Sequence, residues 1–391
     1  MSQDIRDFLT PSCELLALGE PTHQEPAFGL VRNELFARLV GHGFRSIALE
    51  TDRVAALAVN RYVQGGAGTL DAVLSEGFSH GFGAHQGNRQ LVAWMREFNR
   101  DRAPGERLAL HGFDAPTENT TAPSPRSHLE HARDYLRLDL DIAALTGEDS
   151  RWDREEAVLD AASSPGATPE ADRLRRIADD LLVQLHYRAA ELIEESSHAA
   201  WLEAATYLSA GLGLLRYHGQ AAVRGLTPSD RLSGLLGLRD ALMAQNLLDI
   251  RAVEARRGPT LLFSHNRHLQ ASPSTWALGE LDCRWNGAGR IVGSLLGDRY
   301  AYVAGSLGRS AAIGLADPAS GTYEAVLQRP GVVWEVTAVP TTFGEARSRT
   351  GAAPERGYFP LDRATLAGAA ALLHIGDGAA AAAGLRAAAG R

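Results

Sequence analysis

Short, mainly apolar runs recur along this chain and are separated by segments with a different periodicity. Four of them, at residues 15–18, 46–49, 108–113 and 260–263, have the length of buried strands. Residues 26–40 instead place apolar side chains at helical spacing, with a proline at the start and glycines just beyond the end. Strands that alternate with helices predict an α/β fold with a mostly parallel central sheet flanked by helices.

The middle of the chain follows another pattern. From residue 127 to residue 257, no strand-like run interrupts long stretches rich in alanine, leucine, arginine and glutamate. Strand-like runs resume after it, at residues 260–263, 300–304, 332–336 and 371–375. We therefore predict one α/β core domain from residues 1–126 and 258–391, with residues 127–257 as a helical insertion that forms a cap over the cleft.

The stretch Gly287-Ala288-Gly289 is a faint match to a dinucleotide-binding loop. That loop needs a strand before it and a helix after it. Here the glycines follow Cys283-Arg284-Trp285 and lead into an apolar segment that we do not predict to be helical. We therefore predict no nucleotide site at this position.

Residues able to do chemistry lie at the ends of the four predicted strands. In open α/β sheets, ligands bind beyond the carboxyl ends of the strands, so side chains far apart in sequence can share one crevice. Six candidates occupy such positions: Glu20, His23, Glu50, Asp114, His265 and His268. The sequence thus predicts a cleft that contains both imidazole and carboxyl groups.

Composition narrows the possible partners. The formal net charge is −8, which argues against nucleic acid as the main partner because phosphate binding favours a basic surface. The first residues lack the apolar stretch of a signal peptide, and no segment has the length and apolarity of a membrane span. With only 2 cysteines, a disulfide framework is not expected. We predict a cytoplasmic protein with no membrane partner and leave its oligomeric state open.

Several chemistries are excluded or disfavoured. The chain has no lysine, so it cannot form a Schiff base or a pyridoxal phosphate aldimine, and it has no P-loop lysine. It contains no His-Glu-x-x-His zinc helix, and we expect no serine nucleophile on a strand-to-helix elbow.

Two interpretations of the histidine and carboxylate set stay open. With Glu20, these groups offer nitrogen and oxygen ligands for a divalent metal such as zinc or manganese, with His23, His265 and Glu50 as the ligand set. The same groups can instead bind and deprotonate a water molecule, because histidine titrates near neutrality and a neighbouring carboxylate orients it. No cofactor is certain from the sequence.

Arginines and further histidines add candidates for binding substrate. Arg32 lies on the helix that begins beside His23, and its planar guanidinium can pair with an acid or a substrate oxyanion. His80 and His85 lie in a glycine-rich loop that can line a cleft. The predicted substrate-binding set is Asp114, His80, His85, Arg239 and Asp240.

An ordered series of segments resembles the erythromycin esterase family from residue 14 to about residue 310. The segments are residues 18–23, Arg32, 43–50, 62–65, 94–99, 112–114, 239–246 and 265–268. Members of that family include esterases that inactivate macrolide antibiotics by opening the lactone ring with water, and relatives named as succinoglycan biosynthesis proteins.

The resemblance implies an α/β core with a helical insertion over an acidic, histidine-rich cleft. It also implies roles by position: His23 as general base for water, Arg32 as an electrostatic aid, and supporting roles for Glu20, Glu50, His265 and His268. The sequence departs from the family pattern after the motif histidine, where Gln24 and Ala27 stand in place of the usual glycine and glutamate. The glycine- and histidine-rich loop around His80 and His85 also replaces an aromatic segment of the family.

Three hypotheses follow. The first is a carboxylic ester hydrolase that cleaves a small-molecule ester or lactone, such as a macrolide-like natural product, with activated water and no covalent intermediate. The second is a tailoring enzyme of secondary metabolism that uses the same cleft for elimination, cyclisation or acyl transfer. The third is a binding protein that sequesters a hydrophobic natural product without converting it.

Overall fold

Nine strands form two sheets in the computed structural model, which describes residues 3–118, 120–350 and 357–389. The strands are β1 Leu15–Glu20, β2 Ser46–Asp52, β3 Ala109–Asp114, β4 Thr260–His265, β5 Ser274–Leu278, β6 Leu281–Trp285, β7 Tyr300–Arg309, β8 Trp334–Thr337 and β9 Ala371–Asp377.

Sixteen α-helices are present in the same described residues. They are α1 Pro26–Val40, α2 Ala56–Val63, α3 Leu70–Glu76, α4 Gln86–Asn99, α5 Arg126–Leu136, α6 Ile142–Thr146, α7 Glu155–Leu159, α8 Pro169–Tyr187, α9 Ala189–Glu195, α10 His198–Ala221, α11 Pro228–Glu254, α12 Asn266–Leu269, α13 Ala288–Leu296, α14 Tyr323–Leu327, α15 Arg363–Leu366 and α16 Gly378–Ala389. Within this part of the chain, none of them combines the length and hydropathy needed to span a bilayer.

The main sheet has seven strands in the order β3-β2-β4-β1-β7-β9-β8. Every neighbouring pair is parallel except β8 and β9, so one edge strand is antiparallel. The predicted fold class, α/β with a mostly parallel central sheet flanked by helices, is confirmed.

Alternate residues of the central strands supply two separate cores. In β1, Leu16 and Leu18 pack into the cluster that contains α1, α4 and α16. Leu15 and Ala17 of the same strand pack on the other face, in the cluster that contains α11 and α13. Because both faces are covered, all six residues of β1 are buried, which explains why the strand reads as a continuous apolar run.

Helix α1 has the bounds that its sequence predicts. Glu25 caps its N-terminus by accepting a hydrogen bond from the backbone N–H of Ala27, and Pro26 occupies the first turn, where its missing N–H is not needed. Beyond the C-terminus, Gly43 has a φ of 94°, a conformation that glycine adopts without steric cost. This short connection returns the chain directly to β2.

The segment between β3 and β4 is helical, as predicted, and it divides into two parts. Helices α5, α6, α8, α9 and α10 share a core of their own, in which Trp152 is almost fully buried. Helix α11 begins after the Thr227 cap and packs with Met243 and Leu247 against the main sheet. The last helix of this segment is therefore part of the packing that surrounds the strands.

One sequence expectation was wrong downstream of β4, and two elements went unpredicted. Residues 287–289 do lead into a helix, α13, although the preceding strand β6 belongs to the separate two-stranded sheet and not to a βαβ unit. The β5–β6 hairpin itself went unpredicted, because most of its residues are not buried and its apolar pattern is weak. The alanine-rich tail, for which no helix is predicted above, forms α16, whose Ala381 and Ala382 pack in the core beside α1.

Candidate active site

The ends of three adjacent strands bring the candidate residues together. Glu20 is the last residue of β1 and pairs in register with His265, the last residue of β4. Glu50 lies near the end of β2, on the other side of β4. Helix α1 follows β1 on one face of the sheet, whereas α12 follows β4 on the other, and this change of face opens a crevice at the strand ends.

His23 lies between two carboxylates. Its Nδ1 is 2.8 Å from Glu20 Oε1, and its Nε2 is 3.6 Å from Glu50 Oε1. The ring packs against Phe82, with 4.9 Å between centroids, and keeps 30% of its side chain exposed. Burial alone would lower the pKa of His23, but the charge of Glu50 and the hydrogen bond to Glu20 outweigh it and raise the pKa to about 9.

Glu50 is held as an anion by groups on both of its oxygens. Oε2 accepts hydrogen bonds from the Ser264 hydroxyl at 2.5 Å and from the backbone N–H of His265 at 3.0 Å. Oε1 lies 3.5 to 3.6 Å from three nitrogens, namely His23 Nε2, His268 Nε2 and Arg239 Nη2. Burial would raise the pKa of Glu50, but the positive charges of these neighbours hold it well below its ordinary value.

His265 is neutral and offers a free hydrogen-bond donor. It caps the short helix α12, and its Nδ1 accepts a hydrogen bond from the backbone N–H of Arg267 at 3.2 Å. Burial, followed by the charge of His23, lowers the pKa of His265 well below its ordinary value. The proton of the neutral ring is therefore on Nε2, a buried atom with no hydrogen-bond partner among the described residues.

His268 is fixed by a buried carboxylate. Its Nδ1 lies 2.9 and 3.0 Å from the two oxygens of Asp240, which has no exposed surface. Asp240 also accepts hydrogen bonds from the Trp285 indole at 2.8 Å and from the backbone N–H of Ala288 at 2.7 Å. Burial lowers the pKa of His268, but the charges of Asp240 and Glu50 more than compensate, and the net shift is upward.

A second buried network orients Arg239. Its Nε donates to Asp114 Oδ1 at 2.9 Å, and the other oxygen of Asp114 is 2.9 Å from His80 Nε2. His80 Nδ1 in turn is 2.7 Å from Glu118 Oε2. Although burial would raise the pKa of Asp114, the charge of Arg239 keeps it below its ordinary value. The network therefore points a fixed guanidinium at Glu50.

A cavity of about 270 Å³ opens beside His23. Its walls come from the ends of β1, β2 and β4, from the start of α1, from the residues leading into α4, and from α16. The lining residues are Glu20, His23, Gln24, Glu25, Pro26, Gly29, Arg32, Leu49, Glu50, Phe78, Phe82, Ala84, His85, Gln86, Gly87, Asn88, Phe263, Ser264 and Arg386.

The cavity is lined by one residue of the predicted substrate-binding set. His85 does line it, but Asp114, His80, Arg239 and Asp240 do not. The side chains of these four are committed to the two buried networks that hold His268 and Arg239 against Glu50. They position His268 and Arg239, and their role in binding substrate stays a prediction.

This cavity is not lined by the helical segment. None of its lining residues lies between residues 127 and 257. The reason is topological, because the cavity opens on the face of the sheet that α1 and α4 cover, whereas α11 packs against the opposite face. Helix α11 of this segment instead places Arg239 close to Glu50, and it places Asp240 at hydrogen-bond distance from His268.

Sequence reasoning missed four residues that shape the site. Ser264 had a signal, since it immediately precedes His265 at a strand end. Glu25 also had one, because it stands directly before the proline that starts α1. Phe82 and Asn88 had none, because only tertiary packing brings them to His23 and Arg32.

Metal binding finds little support in the geometry of these donors. Within residues 3–118, 120–350 and 357–389, no group of three or more histidine, cysteine, aspartate or glutamate side chains is arranged to hold a metal ion. In the proposed ligand set, Glu50 Oε2 and His265 Nδ1 already accept hydrogen bonds from the protein. The steps derived below therefore use no metal.

A serine motif that the sequence expectation overlooked proves to be structural. Residues 77–81 read Gly-Phe-Ser-His-Gly and so fit the nucleophile-elbow pattern. Ser79, however, follows helix α3 and not a strand, and its hydroxyl oxygen accepts a hydrogen bond from the Asp52 N–H at 2.9 Å. The same hydroxyl is 3.2 Å from that of Thr51, so the contacts of Ser79 tie its loop to the end of β2.

Comparison with known proteins identifies the family. The sequence model of the family described as erythromycin esterase matches residues 40–382. The chain belongs to the erythromycin esterase family. Membership suggests ester hydrolase activity and a small-molecule substrate.

A curated relative and two solved structures are similar to this chain. The erythromycin esterase type II of Escherichia coli is 25% identical over 294 residues, which span 73% of this chain and 67% of the relative. A Bacillus cereus protein of known crystal structure superposes with a TM-score of 0.67 at 16% identity, covering 95% of this chain and 90% of that one. An erythromycin esterase mutant in its open conformation gives a TM-score of 0.64 at 17% identity, covering 95% and 92% of the two chains.

The sequence resemblance predicts a carboxylate at the position of Ala27, four residues after His23. Ala27 is fully buried, and no carboxylate projects from its position. The nearby Glu25 accepts hydrogen bonds from the Ala27 N–H at 3.0 Å and from the Ser310 hydroxyl at 2.5 Å. Glu25 lines the cavity, but both of its oxygens are engaged by the protein.

Proposed function

We propose that this erythromycin esterase family member hydrolyses an ester or lactone with a water molecule activated between His23 and Glu50, without a covalent acyl-enzyme intermediate. The observation that carries the proposal is the distance of 3.6 Å between His23 Nε2 and Glu50 Oε1. The gap is too long for a direct hydrogen bond, but one water oxygen can lie within hydrogen-bond distance of both atoms.

In the proposed reaction, neutral His23 accepts a proton from this water through Nε2. The hydroxide adds to the substrate carbonyl carbon, and the carbon–oxygen bond of the ester then breaks. The imidazolium returns the proton to the departing alkoxide, so one water is consumed and an acid and an alcohol are formed. Glu20 supports the base because it lies at hydrogen-bond distance from Nδ1 and stabilises the charged ring.

His265 is the proposed donor for the oxyanion, although it is not among the residues that line the cavity. Its Nε2–H is buried and unpartnered within the described residues, and its ring centroid is 5.4 Å from that of His23. A neutral donor of this kind stabilises negative charge that develops only during the reaction. His268 and Arg239 are positioning residues in this scheme, since they keep Glu50 ionised and fixed.

Hydrolysis is tested with an ester and lactone panel that includes a macrolide, run in oxygen-18 water. We expect one labelled oxygen in the carboxylic acid product. A product without label would favour cyclisation, elimination or acyl transfer in the same cleft and would contradict the proposal. Ligand that binds tightly but is recovered unchanged would indicate a sequestering protein.

A further inference from the structure

Arg32 is a buried cation in the wall of the cavity. Only 2% of the residue is exposed, and it lies on the first helix after His23. Its Nη1 donates to Asn88 Oδ1 at 2.8 Å, whereas Nε and Nη2 donate to Asn33 Oδ1 at 3.0 and 2.7 Å. Both partners are neutral amides, so the guanidinium is oriented by them but not neutralised.

No carboxylate among the described residues lies within 4.0 Å of this guanidinium, although three carboxylates line the same cavity. Glu20 is at hydrogen-bond distance from His23. Both oxygens of Glu25 accept hydrogen bonds from the protein, and so does Oε2 of Glu50. Burial accordingly lowers the pKa of Arg32 to about 10, only partly opposed by the charge of Glu20. The guanidinium of Arg32 in the cavity wall therefore has no carboxylate partner of its own. Each of the three carboxylates in the wall already has a partner.

The surroundings of Arg32 also favour a negative ligand. Helix α4 begins at the cavity wall with Gln86, Gly87 and Asn88, and its N-cap His85 makes no side-chain cap hydrogen bond. The partial positive charge of a helix N-terminus therefore adds to that of Arg32. The pKa of His85 is lowered by burial and by the charges of His23 and Arg32, so this histidine is neutral and leaves Arg32 without a charged partner.

We propose that the substrate is a small ester or lactone that carries a carboxylate, and that Arg32 binds this carboxylate while the reacting carbonyl lies at His23. The inference rests on the proposed function and names its substrate class. Each terminal nitrogen of Arg32 makes one hydrogen bond within the described residues, which leaves a hydrogen on Nη1 and one on Nη2 for the ligand oxygens.

Size and charge restrict the substrate further. The cavity volume of about 270 Å³ lies just below the range of ligand pockets, which span roughly 300–1,000 Å³. A single carboxylate suits the site better than a doubly charged phosphate, because Glu20, Glu25 and Glu50 on the same wall repel a second negative charge.

The test compares two methyl esters of the same length. Monomethyl adipate ends in a carboxylate, and its amide analogue ends in a neutral carboxamide. We expect kcat/KM for the acid to exceed that for the amide by roughly ten- to a hundredfold, the usual effect of a hydrogen-bonded charge. Equal rates, or a preference for the amide, would overturn the inference but leave ester hydrolysis intact.

Asn88→Asp is the decisive variant, because it places a carboxylate next to Arg32 without changing the size of the side chain. We expect the preference for the acid to fall to nearly one. Arg38→Gln, which removes an exposed arginine of the same helix that pairs with Glu34, is the matched control and should keep the preference. Retention of the preference in Asn88→Asp would also overturn the inference.

Calorimetric binding of the same two compounds separates this inference from the proposed function. If neither ester is hydrolysed by the wild type, the proposed function fails, and binding alone decides the role of Arg32. We then still expect the acid to bind at least about tenfold more tightly than the amide in the wild type and in Arg38→Gln, but not in Asn88→Asp. Equal binding in the wild type counts against Arg32 as a carboxylate site.

Discussion

His23 Nε2 and Glu50 Oε1 face each other across 3.6 Å at the wall of the cavity, although His23 follows β1 and Glu50 lies in β2. Glu50 cannot move freely toward His23, because its Oε2 accepts hydrogen bonds from the Ser264 hydroxyl and from the backbone N–H of His265 in β4. The separation is therefore a property of the sheet and not of one flexible side chain. It leaves space for one reactive oxygen between a base and an anion.

His23→Gln tests the base directly. Glutamine retains a polar side chain between Glu20 and Glu50 but cannot accept a proton near neutral pH. We expect kcat/KM to fall by about 10²- to 10⁴-fold, the range for loss of a general base. Circular dichroism and thermal unfolding establish whether the variant is folded. A folded variant that retains wild-type turnover would rule out His23 as the base.

The dependence on pH follows from the charge on His23. Because its pKa is raised to about 9, the ring is protonated at neutral pH, and its basic form accumulates as the pH rises through that value. We expect kcat/KM to increase about tenfold per pH unit up to that pKa and then level off. An activity that falls across this interval would instead make His23 the acid.

Glu20→Gln tests whether the rise of kcat/KM with pH reports the pKa of His23. It removes the carboxylate that raises the pKa of His23 while a carbonyl oxygen can still accept from Nδ1. We expect the rising limb to move to lower pH. If kcat/KM of the variant rises over the same pH range as that of the wild type, the titrating group is not His23.

Asp240→Asn tests the network behind Glu50. Asparagine presents one acceptor where the aspartate serves His268, Trp285 and the Ala288 N–H. Because the site is fully buried, we expect a loss of about 3 kcal/mol in the free energy of unfolding and a lower kcat with KM little changed. Trp285→Phe removes one of the three bonds and should cost about 1 kcal/mol. Equal stability losses in the two variants would contradict this account.

Local signals in the sequence explain how much of the site could be predicted. Glu20, Glu50 and His265 end strands that read as apolar runs, and the strand-end rule for α/β sheets places such residues at one edge. The bounds of α1 were also predictable from Pro26 and the glycines that follow Val40. These signals depend only on residues close together in the chain.

Features that depend on strand order could not be predicted in this way. Strand β4 lies between β2 and β1, and this position brings Ser264 to Glu50. No residue near either of them in the sequence predicts this strand order. The pairing of Asp240 with His268 joins α11 to α12 across 28 positions. The raised pKa of His23 could not be predicted either, because it results from burial together with the carboxylates Glu50 and Glu20 on different strands.

The contact between α1 and α4 offers a test of how the cavity wall is built. A Cβ added to Gly87 would lie 3.0 to 3.1 Å from the backbone of Gly29, whereas a Cβ added to Gly29 would meet its nearest atom at 3.6 Å. We expect Gly87→Ala to destabilise the protein by about 1–3 kcal/mol, because α1 must shift, and to weaken the bond between Arg32 and Asn88. Gly29→Ala, inside a helix, should be neutral or stabilising by up to about 1 kcal/mol. Thermal unfolding of both variants measures the contrast, and the opposite order would show that the two helices do not pack as closely as described.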